Sequence, residues 1–167
     1  MLDRILYSIA IIGWLAVIFM FSNMPSQDSN GKSKELIRTS VVSGSVILQE
    51  LGIFKEVPSK EKIEEIVSFI NYPVRKLAHF SIYFVLGMLI MISLRRCTKL
   101  DYYKVCIIAA MSSFLYSLTD ELHQKFISGR TGQFTDCLID TLGAISAILL
   151  YSFVKELTKV QKVQKIE

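Results

Sequence analysis

Three features of the 167-residue chain predict an all-α integral membrane bundle of four transmembrane helices, with one or two amphipathic helices in a long first outer loop. First, 51% of the residues are apolar, more than a soluble domain of this size has surface to hide. Second, they gather in four runs, residues 5–21, 77–94, 102–118 and 137–154, which hold only His79, Lys104 and Asp140 between them as charged or imidazole side chains. A helix needs about 20 residues to cross the hydrocarbon layer, and with flanking residues each run approaches or meets that length. Third, the long segment before the second run carries a helical amphipathic pattern. The spans are drawn at about residues 4–22, 74–95, 102–120 and 134–155, within a single domain over residues 1–167.

The first run reads as an uncleaved helix. Its leading charge Arg4 is balanced by Asp3, its apolar stretch exceeds that of a secretory leader, and Ser22-Asn23-Met24 is a poor cleavage site. Phe21-Ser22-Asn23-Met24-Pro25-Ser26-Gln27 then supplies turn chemistry. The outer amphipathic segment, residues 31–71, has two parts. Apolar Leu36, Ile37, Val41, Val42, Val46, Leu48 and Leu51 recur at roughly helical spacing after a polar lead-in. Beyond Pro58-Ser59, Ile63, Ile66, Val67 and Ile70 oppose Lys60, Glu61, Lys62, Glu64 and Glu65. These helices either pack on the end of the bundle or lie in the headgroup region. Pro73 suits the first turn of the second membrane helix, and the third helix is expected to continue into residues 120–126.

Basic residues sort the ends. Arg95, Arg96, Lys99 and Lys104 lie between the second and third runs, and Lys155, Lys159, Lys162 and Lys165 follow the fourth. The positive-inside rule therefore places both termini of this multi-pass cell-membrane protein in the cytoplasm, and residues 22–72 and 120–134 outside. Attraction to anionic membrane lipids accounts for the basic tail, residues 155–167, so no nucleic-acid partner is implied. Cys97, Cys106 and Cys137, odd in number and without C-x-x-C spacing, predict neither a disulfide framework nor a thiolate metal site.

Ionisable groups at membrane depth are costly and mark functional sites. On helices, Arg75, His79 and Tyr83 fall at i, i+4 and i+8 with Lys76 beside them. Asp120, His123 and Gln124 share the outer end of the third helix, and Asp136, Asp140, Gly143 and Ala147 form one stripe down the fourth. Three helices thus present polar groups at one depth, with Gly129-Arg130 able to reach over them. Asp120 is expected to face inward with Gln124, and Glu121 to meet Arg130, Lys76 or water.

Arg75-Lys76-Leu77-Ala78-His79-Phe80-Ser81-Ile82-Tyr83-Phe84-Val85-Leu86-Gly87 resembles a signature of the VanZ-like family. So does the stretch from Asp120-Glu121-Leu122-His123-Gln124 through Gly129-Arg130 to Thr135-Asp136, and Phe21-Ser22 followed by Pro25-Ser26-Gln27 is similar to that family's motif after its first helix. By position the resemblance carries over Lys76, His79, Tyr83, Asp120, Glu121, Gln124, Arg130 and Asp136. Two positions depart from the family pattern: Ile82 stands where an acidic residue is frequent, and Asp140 where asparagine is usual. The resemblance implies a small multi-helix bacterial membrane protein, in a group named for a protein that raises resistance to teicoplanin, and so an expected link to glycopeptide resistance.

Two functions of different class remain open. In the first, the outward pocket binds or modulates an anionic cell-envelope component, whether lipid headgroup, lipid-linked wall precursor, lipoglycopeptide or peptide carboxylate. Its ligand-binding residues would be Lys76, His79, Tyr83, Asp120, Gln124, Arg130, Asp136 and Asp140. In the second, a membrane-embedded enzyme modifies such a component, with His79, Asp120 and Glu121 as catalytic candidates. Arg130 has a plain alternative role, a salt bridge to Asp136 that closes its loop. A metal site from His79, Asp120, His123 and Asp136 is chemically available, but no compact ligand motif supports it, so no metal and no other cofactor is expected. A serine hydrolase lacks its G-x-S-x-G element.

Overall fold

The computed structural model describes residues 2–164, with side chains described as far as Thr158. It contains five helices: α1 (Leu2–Ser22), α2 (Ser26–Glu50), α3 (Lys60–Cys97), α4 (Tyr102–Gln124) and α5 (Phe134–Gln164). No strand occurs among the described residues. Helices α1, α3, α4 and α5 (over Phe134–Thr158) are long and apolar enough to span a membrane, so the chain is a multi-pass membrane protein with the expected all-α architecture. Of the basic tail, Lys155 sits with its ammonium 4.2 Å from the centre of the Tyr102 ring; Lys159, Lys162 and Lys165 lie outside the described side chains.

The amphipathic outer helix and the second membrane helix are one element. Ser59 caps α3, its hydroxyl accepting from the Lys62 amide at 3.4 Å, and the helix runs through Pro73 without a break. Proline removes one donor, here the one that would serve the Phe69 carbonyl, and this disfavours an unsupported helix interior. Support comes from α2, whose Ile37 packs into a cluster with Ile63 and Val67 on the N-terminal part of α3. Asn71 also donates to Asn30 Oδ1 at 2.7 Å, and Arg38 grips both carboxylate oxygens of Glu64. α2 itself starts at Ser26, directly after Pro25, so the polar residues 28–33 are helical and form no lead-in.

α3 and α5 run parallel and approach most closely at one crossing. A Cβ added to Gly87 would lie 2.7 Å from the Ala144 Cα, and one on Gly143 would collide with the Phe80 carbonyl. Small residues permit this approach of backbones. Below the crossing, Met91, Val105, Ala109 and Ile148 close the bundle as a hydrocarbon cluster, with Tyr102 bonded to Ser152 at its rim. α1 lies at the periphery, with only 11% of its span buried, and faces Leu6, Ile9, Ile12 and Met20 outward as a lipid-facing helix would. Trp14 fixes it by donating to the Ile82 carbonyl at 2.9 Å, and Tyr116 does so by donating to the Leu15 carbonyl at 2.8 Å. All three cysteines are free.

Candidate functional site

The crossing of α3 and α5 at Gly143 brings the polar ends of both helices together. One turn above it, His79 Nδ1 lies 3.4 Å from Asp140 Oδ1, and a turn further up Lys76 pairs with Asp136. Asp140 is fully buried, and its other oxygen accepts from Ser117 of α4 at 2.7 Å. Also on α4, Gln124 donates to Asp120 at 3.1 Å, the inward pairing expected for them.

The loop from residue 125 to 133 folds back over this cluster. Gly132, at φ +50, passes so close to the end of α4 that any side chain would strike Glu121 and Lys125. That approach lets the Gln133 amide donate to Glu121 Oε2 at 2.8 Å. Glu121 is consequently 4% exposed, and the Gln133 amide, not Arg130 or Lys76, is its partner, a correction to the expectation of either cation. The reason is that Lys76 is held by Asp136, and Arg130 points elsewhere.

Arg130 does not bridge to Asp136. Its Nε donates to the Met24 carbonyl and its Nη2 to the Phe21 carbonyl, both at 2.9 Å, while the Ser26 amide donates to the Ser128 carbonyl at 3.1 Å. The guanidinium thereby satisfies carbonyls that the end of α1 leaves open. The motif after the first helix and the motif after α4 are one structural unit. Burial and then the nearby charge of Arg75 lower the Arg130 guanidinium from its ordinary value, although an arginine keeps its proton. The carboxylates of Asp120 and Glu121 act on the guanidinium in the opposite sense.

Two cavities meet here. An apolar cleft of about 310 Å³ runs between α1, α2, α3 and α4, with Ile18, Phe21, Leu36, Val74 and Ile82 on its walls. A polar cup of about 260 Å³ is lined by Lys76, Glu121, Gly132, Gln133 and Asp136 among others. Arg75, His79, Gln124 and Arg130 line both. Of the sequence-derived ligand residues, Lys76, His79, Gln124, Arg130 and Asp136 line the cup, while Tyr83 and Asp120 line the cleft. Asp140 sits behind His79, on neither wall.

His123 lies outside the group, its ring centre 5.0 Å from that of Phe19. The four-residue metal set weighed from the sequence is therefore not assembled. The groups whose ligand atoms do converge, all within 4.8 Å of one another, are His79, Glu121 and Asp140. Sequence reasoning missed two residues. Arg75, facing both cavities, heads the Arg75–His79–Tyr83 stripe and was passed over for Lys76. Ser117 belongs to a helical stripe with Ser113, Asp120 and Gln124 that the sequence displays openly.

The fold and this cluster define a class: multi-pass α-helical membrane proteins with a polar cup at one end of the bundle, continuous with an apolar cleft. The chain belongs to the VanZ/LLP1 family, whose model matches residues 7–155. No curated protein and no solved structure matches it.

Proposed function

We propose that the protein binds an anionic amphiphile of the cell envelope, a lipid or lipid-linked wall precursor, with its charged head in the polar cup and its chain in the apolar cleft. The observation that carries this reading is the junction of the two cavities at Arg75, His79, Gln124 and Arg130. A purely water-soluble ligand has no use for the cleft, and a neutral lipid has none for the cations that line the junction, Arg75 and Arg130. Lys76 and Arg130 are engaged by Asp136 and by backbone carbonyls, which leaves Arg75 as the foremost contact for the head. A bidentate guanidinium suits phosphate and carboxylate alike.

The cup faces outward in this reading, because Arg95, Arg96, Lys99 and Lys155 cluster at the opposite end of the bundle. Capture of an envelope precursor or of a lipoglycopeptide at that face is the route by which such a protein would influence glycopeptide susceptibility. Native mass spectrometry of the solubilised protein with a polyisoprenyl phosphate, phosphatidylglycerol and uncharged diacylglycerol tests the reading. Wild type retains the anionic species, and Arg75→Gln retains at least about tenfold less, the worth of one hydrogen bond to a charged group. Equal retention of charged and uncharged lipids would overturn the proposal.

A second reading, an enzyme that modifies the same amphiphile, is favoured by the His79–Asp140 pairing, in which a carboxylate orients an imidazole that faces the cup. This places the acid–base role on His79 ahead of Asp120, which is engaged by Gln124. It requires a changed product that vanishes in His79→Gln.

A further inference from the structure

The geometry points to a divalent transition-metal site, for an ion such as zinc or manganese, built from His79, Glu121 and Asp140 at the floor of the polar cup. One ligand comes from each of α3, α4 and α5, and their ligand atoms lie within 4.8 Å of one another. Two ligands about 2.1 Å from a tetrahedral ion stand about 3.4 Å apart. That is the separation already present between His79 Nδ1 and Asp140 Oδ1, and Glu121, within 4.8 Å of both, needs to close by at most about 1.4 Å to join them.

The independent observation is the state of the carboxylates. Asp140 is fully buried and Glu121 4% exposed, yet Glu121 Oε1 has no hydrogen-bond partner, and Asp140 Oδ1 makes no hydrogen bond although His79 Nδ1 stands 3.4 Å away. The second oxygen of each is held, by Ser117 and by the Gln133 amide, and these bonds aim the unpartnered oxygens. Outer hydrogen bonds that fix the direction of carboxylate ligands are the usual setting of a metal site. A hydrogen-bonded, buried carboxylate with one oxygen left bare is costly unless a cation completes it.

Charge leads to the same place. Lys76 is held by Asp136 and Arg130 by backbone carbonyls, so neither serves Glu121 or Asp140. A divalent ion supplies the charge that these two carboxylates lack. His79 and Glu121 line the cup, so the ion's remaining positions face the ligand, where a phosphate or carboxylate oxygen completes the shell. Mixed imidazole and carboxylate donors suit zinc and manganese better than calcium or magnesium. This inference deepens the binding role proposed above and shares its pocket.

The test is elemental analysis of the purified protein after loading with Zn2+ or Mn2+ and removal of free ion, with no amphiphile present. Wild type and Asp101→Asn, which alters an exposed carboxylate at the far end, hold about one ion per chain; Asp140→Asn, Glu121→Gln and His79→Gln each hold less than about a tenth of that. Co2+ loading of the wild type supplies a readout that needs no variant, the intense visible absorption of a low-coordinate site with nitrogen and oxygen ligands. Absence of ion from the loaded wild type, a Co2+ spectrum no different from the hexaaqua ion, or undiminished loading of Asp140→Asn overturns the site. A wild type that retains anionic lipid but takes up no metal would break this inference alone, whereas lipid loss in Arg75→Gln that still holds metal leaves it standing.

Discussion

The two halves of the α3–α4–α5 bundle are built from the same three helices and held by opposite means. Below the Gly87–Ala144 crossing, Met91, Val105, Ala109 and Ile148 meet as plain hydrocarbon. Above it, the corresponding faces carry buried Asp120, Glu121 and Asp140 with the part-buried His79, and two carboxylate oxygens make no hydrogen bond. A bundle that closes with Met and Val at one end has no structural need of carboxylates at the other. On the proposed reading the upper half is the part arranged for binding, and the lower half holds the three helices in place for it.

Substitutions sharpen this contrast in descending order of effect. Gly143→Val drives a side chain into the Phe80 carbonyl, where backbone cannot give way, so it separates both halves at once. The expected cost exceeds about 3 kcal/mol, read as loss of monodisperse protein on size exclusion after solubilisation. Arg130→Ala frees the Phe21 and Met24 carbonyls and releases the loop from residue 125 to 133. It should cost about 3 kcal/mol and open that loop to limited proteolysis, with the lower cluster undisturbed.

Asp140→Asn is milder. It keeps an acceptor for Ser117 but gives up the pairing with His79, so the metal-free protein loses about 1 kcal/mol, seen as a lowered Tm, while ligand retention falls. An unchanged or raised Tm would show that the pairing does nothing for stability. Tyr102→Phe, which removes the bond to Ser152 at the lower rim, is the mildest, costing about 0.6 kcal/mol with no effect on ligand retention.

Spans and site depth were legible in the sequence because both follow from periodicity: apolar runs mark the crossings, and i, i+4 spacing puts Arg75, His79 and Tyr83 on one face. The family's three motifs named most of the polar residues. Partner choice was not legible. Nothing local shows that Arg130 serves carbonyls more than a hundred positions earlier, or that Gly132 turns the Gln133 amide onto Glu121. Such pairings depend on how helices are stacked, and sequence spacing within one helix carries no information on that. The continuity of α3 through Pro73 was hidden for a related reason: the proline is a local signal to stop, and the packing of Ile37 on Ile63 and Val67 that overrides it comes from another helix.

The bonds from Arg130 to Phe21 and Met24 also set an order of manufacture. During synthesis α1 leaves the ribosome long before the loop that will satisfy its end, and the two bonds span 106 and 109 positions. The cup gains its last wall residue, Asp136, and the Asp140 that backs His79, later still. A nascent chain halted before that point has three crossings and no complete cup, so the proposed site is assembled only when the last crossing is laid in.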